Sequence, residues 1–244
     1  APCGMLRSMR TYSPRRAWLL AIGYSGACWL VATLVGTTAR VFDDPPATSE
    51  QLHDWRWWIS VGIAVATIGV AYGVVWSSDT LVFDRQRHLG SQVLFGVIWG
   101  SGSGLWLATL FVLSDRTGWA PWAVWLLTFG LISLWQALWH NLCWDVWVAP
   151  EHDTPESIRR KLPRTHVPNI LVTLSFLVAY ENFAIFVLLQ TTALVISSVA
   201  MRFPPWWEKH PVLAATTGPG LFGLPHATGF EGSDAEAARG APAG

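Results

Sequence analysis

Charged residues are scarce in this chain, since Asp, Glu, Lys and Arg together make up 13% of its 244 residues. A soluble globular domain usually carries about 25% charged residues. Acidic and basic residues also balance to a formal net charge of zero. This balance removes the electrostatic basis for binding nucleic acid, so we expect no nucleic-acid partner.

Cysteine is also rare, and none of the three cysteines belongs to a Cys-x-x-Cys pair. They are Cys3, Cys28 and Cys143. A disulfide framework and a zinc knuckle are therefore not expected. A metal site would have to use histidines such as His140, His152 and His166. No spacing such as His-Glu-x-x-His accompanies them, so the sequence predicts no metal and no cofactor.

Long apolar runs are what the chain has in abundance, since 52% of its residues are hydrophobic. The runs have about twenty residues or more, the length that a helix needs to cross a bilayer. We find no series of ~10-residue alternating segments of the kind that builds a β-barrel. The sequence predicts an all-α, polytopic integral membrane helical bundle with about five transmembrane helices. The five runs are Ala17 to about Thr38, Trp55 to about Trp76, about Gly90 to Leu113, about Trp119 to Val148, and Val167 to Met201.

The apolar runs divide the chain into three parts. Residues 1–16 form a basic, flexible leader, residues 17–203 form the transmembrane helical domain, and residues 204–244 form a Gly/Ala/Pro-rich tail that we expect to be disordered. The first run could also be a removed signal peptide, because it follows a basic stretch. The apolar part of a signal peptide has only ~7–15 residues, so we favour a retained helix.

The distribution of Lys and Arg predicts the orientation in a cell (inner or plasma) membrane. The leader, the loop at 77–89 and the loop at 149–166 are the basic segments, and five crossings place all three on one side. The N-terminus is therefore predicted to be cytoplasmic. After Pro168 the fifth run contains no Pro or Gly, so we predict one continuous helix and a C-terminus outside.

Three glycines in the third run form a ridge of small residues. Gly96, Gly100 and Gly104 recur every four residues, so they share one face of a helix. Such a ridge lets another helix pack with close backbone contact, and we predict a helix partner there. A phosphate-binding loop is the weaker alternative, because the glycines lie inside an apolar run and do not follow a strand.

Polar side chains cluster where the fourth run ends. Asn141 and Asp145 share one helix face, and Gln136, His140 and Trp144 share the adjacent face. If the fourth and fifth helices are antiparallel neighbours, Asn169 lies close to this cluster. The alternative interpretation is that these groups only bind the helix end and the lipid headgroups.

Glu181 is the most unusual residue of the fifth run. It is predicted to lie ~21 Å along its helix, within the bilayer. An ionisable group there costs ~2.5 kcal/mol or more on insertion scales and by default indicates function. Burial would favour the protonated acid, a form suited to donating a proton. The alternative is a structural hydrogen bond between helices.

The stretch from Asn141 to Asp145, followed by Pro150, resembles the Asn-x-x-Trp-Glu element of the small integral-membrane terpene cyclases. The resemblance implies an acid at Asp145 that protonates an isoprenoid and a second acid at the position of Glu181. Here Asp stands where that family has Glu, and the motif lies in the fourth of five runs instead of an early one.

Three hypotheses follow from these residues. The leading one is a small membrane enzyme that performs acid–base chemistry on a lipid or isoprenoid substrate in the bilayer. Its proposed catalytic residues are Asp145, Glu181 and His140, and its proposed substrate-binding residues are Asn141, Trp144, Asn169 and Gln136. The second is a non-catalytic subunit or assembly partner that associates through the glycine ridge. The third is a proton-coupled transporter, although we find no inverted repeat or broken helix.

Overall fold

The computed structural model describes residues 13–43, 45–78, 87–142, 155–203 and 205–207. This part of the chain is helical and contains no strand. Two short helices, Thr37–Phe42 and Ser49–His53, connect the first two long ones. The six long helices are α1 (Pro14–Val35), α2 (Trp55–Ser78), α3 (Leu89–Asp115), α4 (Pro121–Leu142), α5 (Pro155–Tyr180) and α6 (Phe183–Ala200).

Five of the long helices are long and apolar enough to cross a membrane, namely α1 to α4 and α6. This confirms the predicted helical membrane bundle with five apolar helices. The exception is α5, whose first half carries several basic residues. These are Arg159, Arg160, Lys161 and Arg164.

The prediction of one continuous helix from Val167 to Met201 is wrong. The helix ends at Tyr180, and Glu181 has a φ of 53°, in the left-handed region that a Glu side chain rarely adopts. The chain then reverses direction. This is shown by a hydrogen bond of 2.9 Å that Gln190 in α6 donates to the Thr173 hydroxyl in α5. The two halves of the fifth run therefore form an antiparallel helical hairpin.

The helix break needs no Pro or Gly because a distant segment supports it. Gln51 donates its side-chain N–H to the carbonyl of Tyr180 at 3.0 Å, which satisfies a carbonyl that the helix end would leave without a partner. Asn182 is buried against the same glutamine. A local sequence pattern cannot show this support, because the two partners are 129 positions apart.

Two further expectations change with this hairpin. Glu181 is exposed at the turn, beside the loop between α1 and α2, so its expected place deep in the bilayer is wrong. The Trp206 ring lies 5.3 Å from the Trp18 ring near the start of α1. The end of the described chain is therefore at the same face as its beginning. The six long helices thus return the described chain to the face at which it starts, whereas the sequence analysis expected it to end at the opposite face.

The glycine ridge packs against α6 of the same chain. A Cβ atom at Gly96 would lie 2.5 Å from the Cα of Val195, and one at Gly100 would lie 2.7 Å from the Cα of Thr191. Both distances are shorter than any real carbon contact allows. The helix that packs on the ridge is thus α6 of the same chain.

The opposite side of α3 packs closely against α1. A Cβ atom at Gly102 would lie 2.6 Å from the Cα of Ser25, and the Ser25 hydroxyl donates to the carbonyl of Ile98 at 2.6 Å. The helix α3 therefore lies between α1 and α6, with small residues on both sides.

The remaining contacts close a ring of five helices. Around the ring, α3 packs on α6, α6 on α2, α2 on α5, α5 on α4, and α4 on α3. Within the described residues, α1 lies outside this ring, and its backbone comes close only to α3 and to the short helix that follows α1. The ring surrounds the space in which the candidate site lies.

The first prediction concerns the glycine ridge. Replacing Gly96 by Ala should lower the stability of the detergent-solubilised protein by about 1–3 kcal/mol, because the added methyl group collides with the backbone of α6. Gly69→Ala is the matched control, since a Cβ atom there would meet nothing within 4 Å. Thermal unfolding of both variants measures the difference, and equal stability would contradict the packing described.

The second prediction concerns the turn between α5 and α6. In a background without the native cysteines, Glu181→Cys should react with a membrane-impermeant thiol reagent added from outside intact cells, because the turn lies at the surface. Ser198→Cys is the buried control and should stay protected. If the cysteine at position 181 does not react, the exposed turn is contradicted and the continuous helix becomes the better interpretation.

Candidate functional site

A cavity lies inside the ring, and side chains from all six long helices line it. The space open to the centre of a water molecule is about 30 Å³, enough for one or two waters. Aromatic rings alternate with polar groups around the wall. The lining residues are Tyr24, Tyr72, Trp76, Trp99, Ser103, Leu107, Trp135, Gln136, Trp139, His140, His166, Gln190, Leu194 and Ser197.

A polar stripe runs along α5 and faces the interior of the bundle. Its members recur at every fourth position and are all buried. They are Ser157, Lys161, Thr165, Asn169 and Thr173. Residues at this spacing share one face of a helix, so α5 is amphipathic with its polar face inward. This spacing is visible in the sequence, but the sequence analysis identified only Asn169 as a site residue.

A π-helical turn at Ala71–Val75 shapes the side of α2 that faces the stripe. Such a turn adds a residue to the helix and is frequent at functional sites. Tyr72 lies within it and Trp76 follows it directly, and both side chains are buried. The turn therefore brings a hydroxyl and an indole ring of one helix to the same cavity.

Hydrogen bonds join α2, α5 and α6 at this point. The Asn169 amide donates to the Tyr72 hydroxyl and to the side-chain oxygen of Gln190, both at 3.2 Å. Gln190 donates in turn to Thr173. The Tyr72 hydroxyl also lies 3.0 Å from Nδ1 of His166. The result is a buried network in which most polar atoms have partners.

The network assigns the tautomer of His166. An amide N–H can only donate, so the Tyr72 oxygen accepts from Asn169, and we assign the Tyr72 hydroxyl proton to the hydrogen bond with Nδ1 of His166. Since Nδ1 accepts, the neutral ring carries its proton on Nε2. This Nε2 is buried and has no hydrogen-bond partner among the described residues. An N–H donor is thus left unsatisfied at the cavity.

His140 has the opposite tautomer. Its Nδ1 lies 2.8 Å from the backbone carbonyl of Gln136, and a carbonyl can only accept. Neutral His140 therefore carries its proton on Nδ1 and a lone pair on Nε2. The centroids of the two imidazole rings are 4.8 Å apart, and the Trp76 ring contacts both of them. One cavity thus combines a histidine that donates with a histidine that accepts.

A positive charge lies beside the two imidazoles. Lys161 is buried, donates to the Trp76 carbonyl at 3.3 Å, and has its ammonium group 4.5 Å from the centre of a Trp76 ring. This arrangement is a cation–π contact, which grows stronger away from water. Trp76 therefore links Lys161 to both histidines.

The structure brings together some of the residues that the sequence suggested. His140 and Gln136 line the cavity, and Asn169 belongs to its network. Asn141 is exposed and donates to the carbonyl of Ala137 within its own helix. Glu181 lies at the other end of α5 and does not line this cavity.

Some predicted site residues lie outside the described residues, namely Asp145, Trp144 and His152. Within the described ranges, no group of three or more His, Cys, Asp or Glu side chains is arranged to hold a metal ion. The main residues that sequence reasoning missed are Tyr72 and Gln190. Each lies in a largely apolar helix, and no local pattern indicates that the two face the same cavity.

Comparison with known proteins adds no relative: no protein-family model, curated protein or solved structure matches the chain.

The third prediction tests the buried network. Tyr72→Phe leaves Nδ1 of His166 without a donor, and an unsatisfied buried group costs about 1–3 kcal/mol. We expect a loss of stability of that size in thermal unfolding. Tyr180→Phe is the matched control, because the Tyr180 hydroxyl is half-buried and 3.3 Å from Ser60. A surface change of this kind alters stability by about 0.5 kcal/mol or less. Equal effects of the two variants would refute the network.

Proposed function

We propose that the protein is a membrane enzyme that moves protons on a lipid-soluble substrate at the His140–His166 pair. The observation that carries the proposal is that two buried imidazoles lie side by side at one cavity, each with a hydrogen bond at Nδ1 that favours the opposite tautomer from the other. General acid–base catalysis needs a group that accepts a proton and a group that donates one, both within reach of the substrate.

The two histidines suit different parts of one reaction. His140 would take a proton from a carbon of the substrate through its Nε2 lone pair. The Nε2–H of His166 would hydrogen-bond to the substrate oxygen on which negative charge develops, as preorganised donors do. Protonated His140 would then return the proton to another carbon, so that no proton is gained or lost. The reaction class is isomerisation of a lipid that carries a carbonyl group, whose oxygen takes the negative charge while His140 holds the proton.

Tyr72 and Asn169 would act as positioning residues. Through Nδ1 they hold His166 in the tautomer that presents N–H to the cavity. In the same way, the Gln136 carbonyl holds His140 in the tautomer that presents a lone pair. Hydrogen bonds to the far nitrogen are the usual means by which a protein sets the role of a histidine.

The walls of the cavity favour an apolar substrate. Four tryptophans, two tyrosines and two leucines line it, namely Trp76, Trp99, Trp135, Trp139, Tyr24, Tyr72, Leu107 and Leu194. Apolar walls accept a prenyl chain as well as an acyl chain, so an isoprenoid remains among the candidate substrates. The cavity holds only one or two waters in this conformation, so the bundle must widen before a lipid binds.

The proposed pair replaces the pair of acids suggested by the sequence. Glu181 lies at the turn that follows α5, and it is not among the residues that line the cavity. His140 lines the cavity from near the C-terminal end of α4, so the two residues do not share it. A role for Asp145 remains a prediction from the sequence alone. The glycine ridge that motivated the subunit hypothesis is filled by α6, and no observation now favours that alternative.

The fourth prediction tests the histidine pair. Membranes from cells that produce the wild-type chain should contain a lipid that is missing from cells without it, as measured by untargeted lipid mass spectrometry. His140→Gln and His166→Gln should each reduce that lipid by about a hundredfold or more, the usual size of an acid–base contribution. Glu181→Gln is the control and should leave it unchanged.

Protein in the membrane must be quantified for each variant, so that a loss of product is not a loss of enzyme. Full product formation by both histidine variants would refute the proposed function. Loss of product in Glu181→Gln alone would return the catalytic role to the acid.

A further inference from the structure

The wall of the cavity has a window that α1 covers. The helix α1 lies outside the ring of five helices, yet its Tyr24 side chain lines the cavity. A side chain from outside can reach the interior only where the ring is open. The neighbours of Tyr24 in the cavity wall are Ser103 of α3 and Trp139 of α4, so the opening lies between these two helices.

Aromatic side chains of α1 and α4 meet across this window. No described Cα atom of α1 lies within 8 Å of one in α4. The Tyr24 ring lies 4.6 Å from the Trp139 ring and 6.3 Å from the Trp135 ring, centre to centre. The Ser103 hydroxyl donates a long hydrogen bond, 3.5 Å, to the Tyr24 hydroxyl. Rotation of these side chains would open the cavity without breaking any backbone contact between α1 and α4.

The window faces the lipid chains. Tyr24 is ten positions after Pro14, or about 15 Å along α1, which is within the hydrocarbon region of a bilayer about 30 Å thick. Large apolar side chains on either side of the window are exposed. They are Leu19, Ile22 and Leu30 on α1 and Leu134 and Leu138 on α4. A group entering here comes from hydrocarbon and not from water.

We propose that the hydrocarbon chain of a membrane lipid enters the cavity sideways from the bilayer, through a gate formed by Tyr24, Trp135 and Trp139. This inference rests on the proposed function, which gives the reason for a lipid to enter. The inference adds the class of substrate, a lipid with a single apolar chain. The chain passes between α1 and α4, and the oxygen-bearing end reaches the two histidines. An acyl chain and a prenyl chain share this chemistry.

The test uses the full chain in phosphatidylcholine vesicles with two photoreactive probes, a diazirine-bearing fatty alcohol and a diazirine-bearing prenyl alcohol. After illumination, mass spectrometry of peptides locates the adducts. We expect adducts on the cavity-lining residues Gln190 and Ser197 of α6, in addition to those on the lipid-facing surface. The probe with more cavity adducts identifies the kind of chain.

Two variants test the gate itself. Trp139→Ala should increase cavity adducts, whereas Trp122→Ala should not, because Trp122 is 69% exposed at the other end of α4. In a background without native cysteines, Tyr24→Cys with Trp139→Cys should lose cavity adducts when a bifunctional, reducible thiol reagent joins the two sites. Reduction should restore them, which shows that the protein stayed folded.

Cavity adducts that persist after cross-linking, or that never form with either probe, would overturn the proposed entrance. The lipid product measured with His140→Gln and His166→Gln separates this result from the chemistry. If labelling depends on the gate while both histidine variants still make product, the entrance stands and the proposed reaction fails. If labelling ignores the gate while the histidines are required, the reaction stands and the entrance fails.

Discussion

The polar stripe on α5 is the feature on which the rest of the bundle depends. In a bilayer no water satisfies a polar group that faces lipid, so such groups must find partners in the protein. The stripe includes an amide at Asn169 and an ammonium group at Lys161, both fully buried. Its partners come from other helices, Tyr72 and Trp76 from α2 and Gln190 from α6. The helices α2 and α6 therefore have to lie beside α5.

Close packing of glycines sets where those partners lie. With α6 pressed against the glycines of α3, Gln190 faces the interior of the ring between Thr173 and Asn169. The π-helical turn does the same for Tyr72, because an added residue changes the face that the following side chains share. The close packing of glycines and the hydrogen bonding of polar side chains thus depend on each other. Together they place two histidines with opposite assigned tautomers at one cavity.

The polar network at this cavity is less stable than a fully paired network would be. A network with every atom satisfied would be a structural core, and the described part of this one leaves Nε2 of His166 and the side-chain oxygen of Asn169 without partners. An unsatisfied buried group costs about 1–3 kcal/mol. Real proteins accept such costs mainly at functional sites. The orphaned N–H on a wall of aromatic rings is therefore the strongest reason to regard the cavity as a site and not as a packing defect.

The sequence by itself determined the membrane class, the number of apolar helices and the ridge on α3, because each depends on composition or on spacing within one helix. It also indicated His140, Gln136 and Asn169, since polar groups at helix ends and within apolar runs are visible one at a time. Only the tertiary structure decided that the fifth run is a hairpin, because the break at Glu181 is held by Gln51 from another segment. Only the tertiary structure places His140 and Tyr72 beside His166, since no local sequence pattern indicates which faces of separate helices meet.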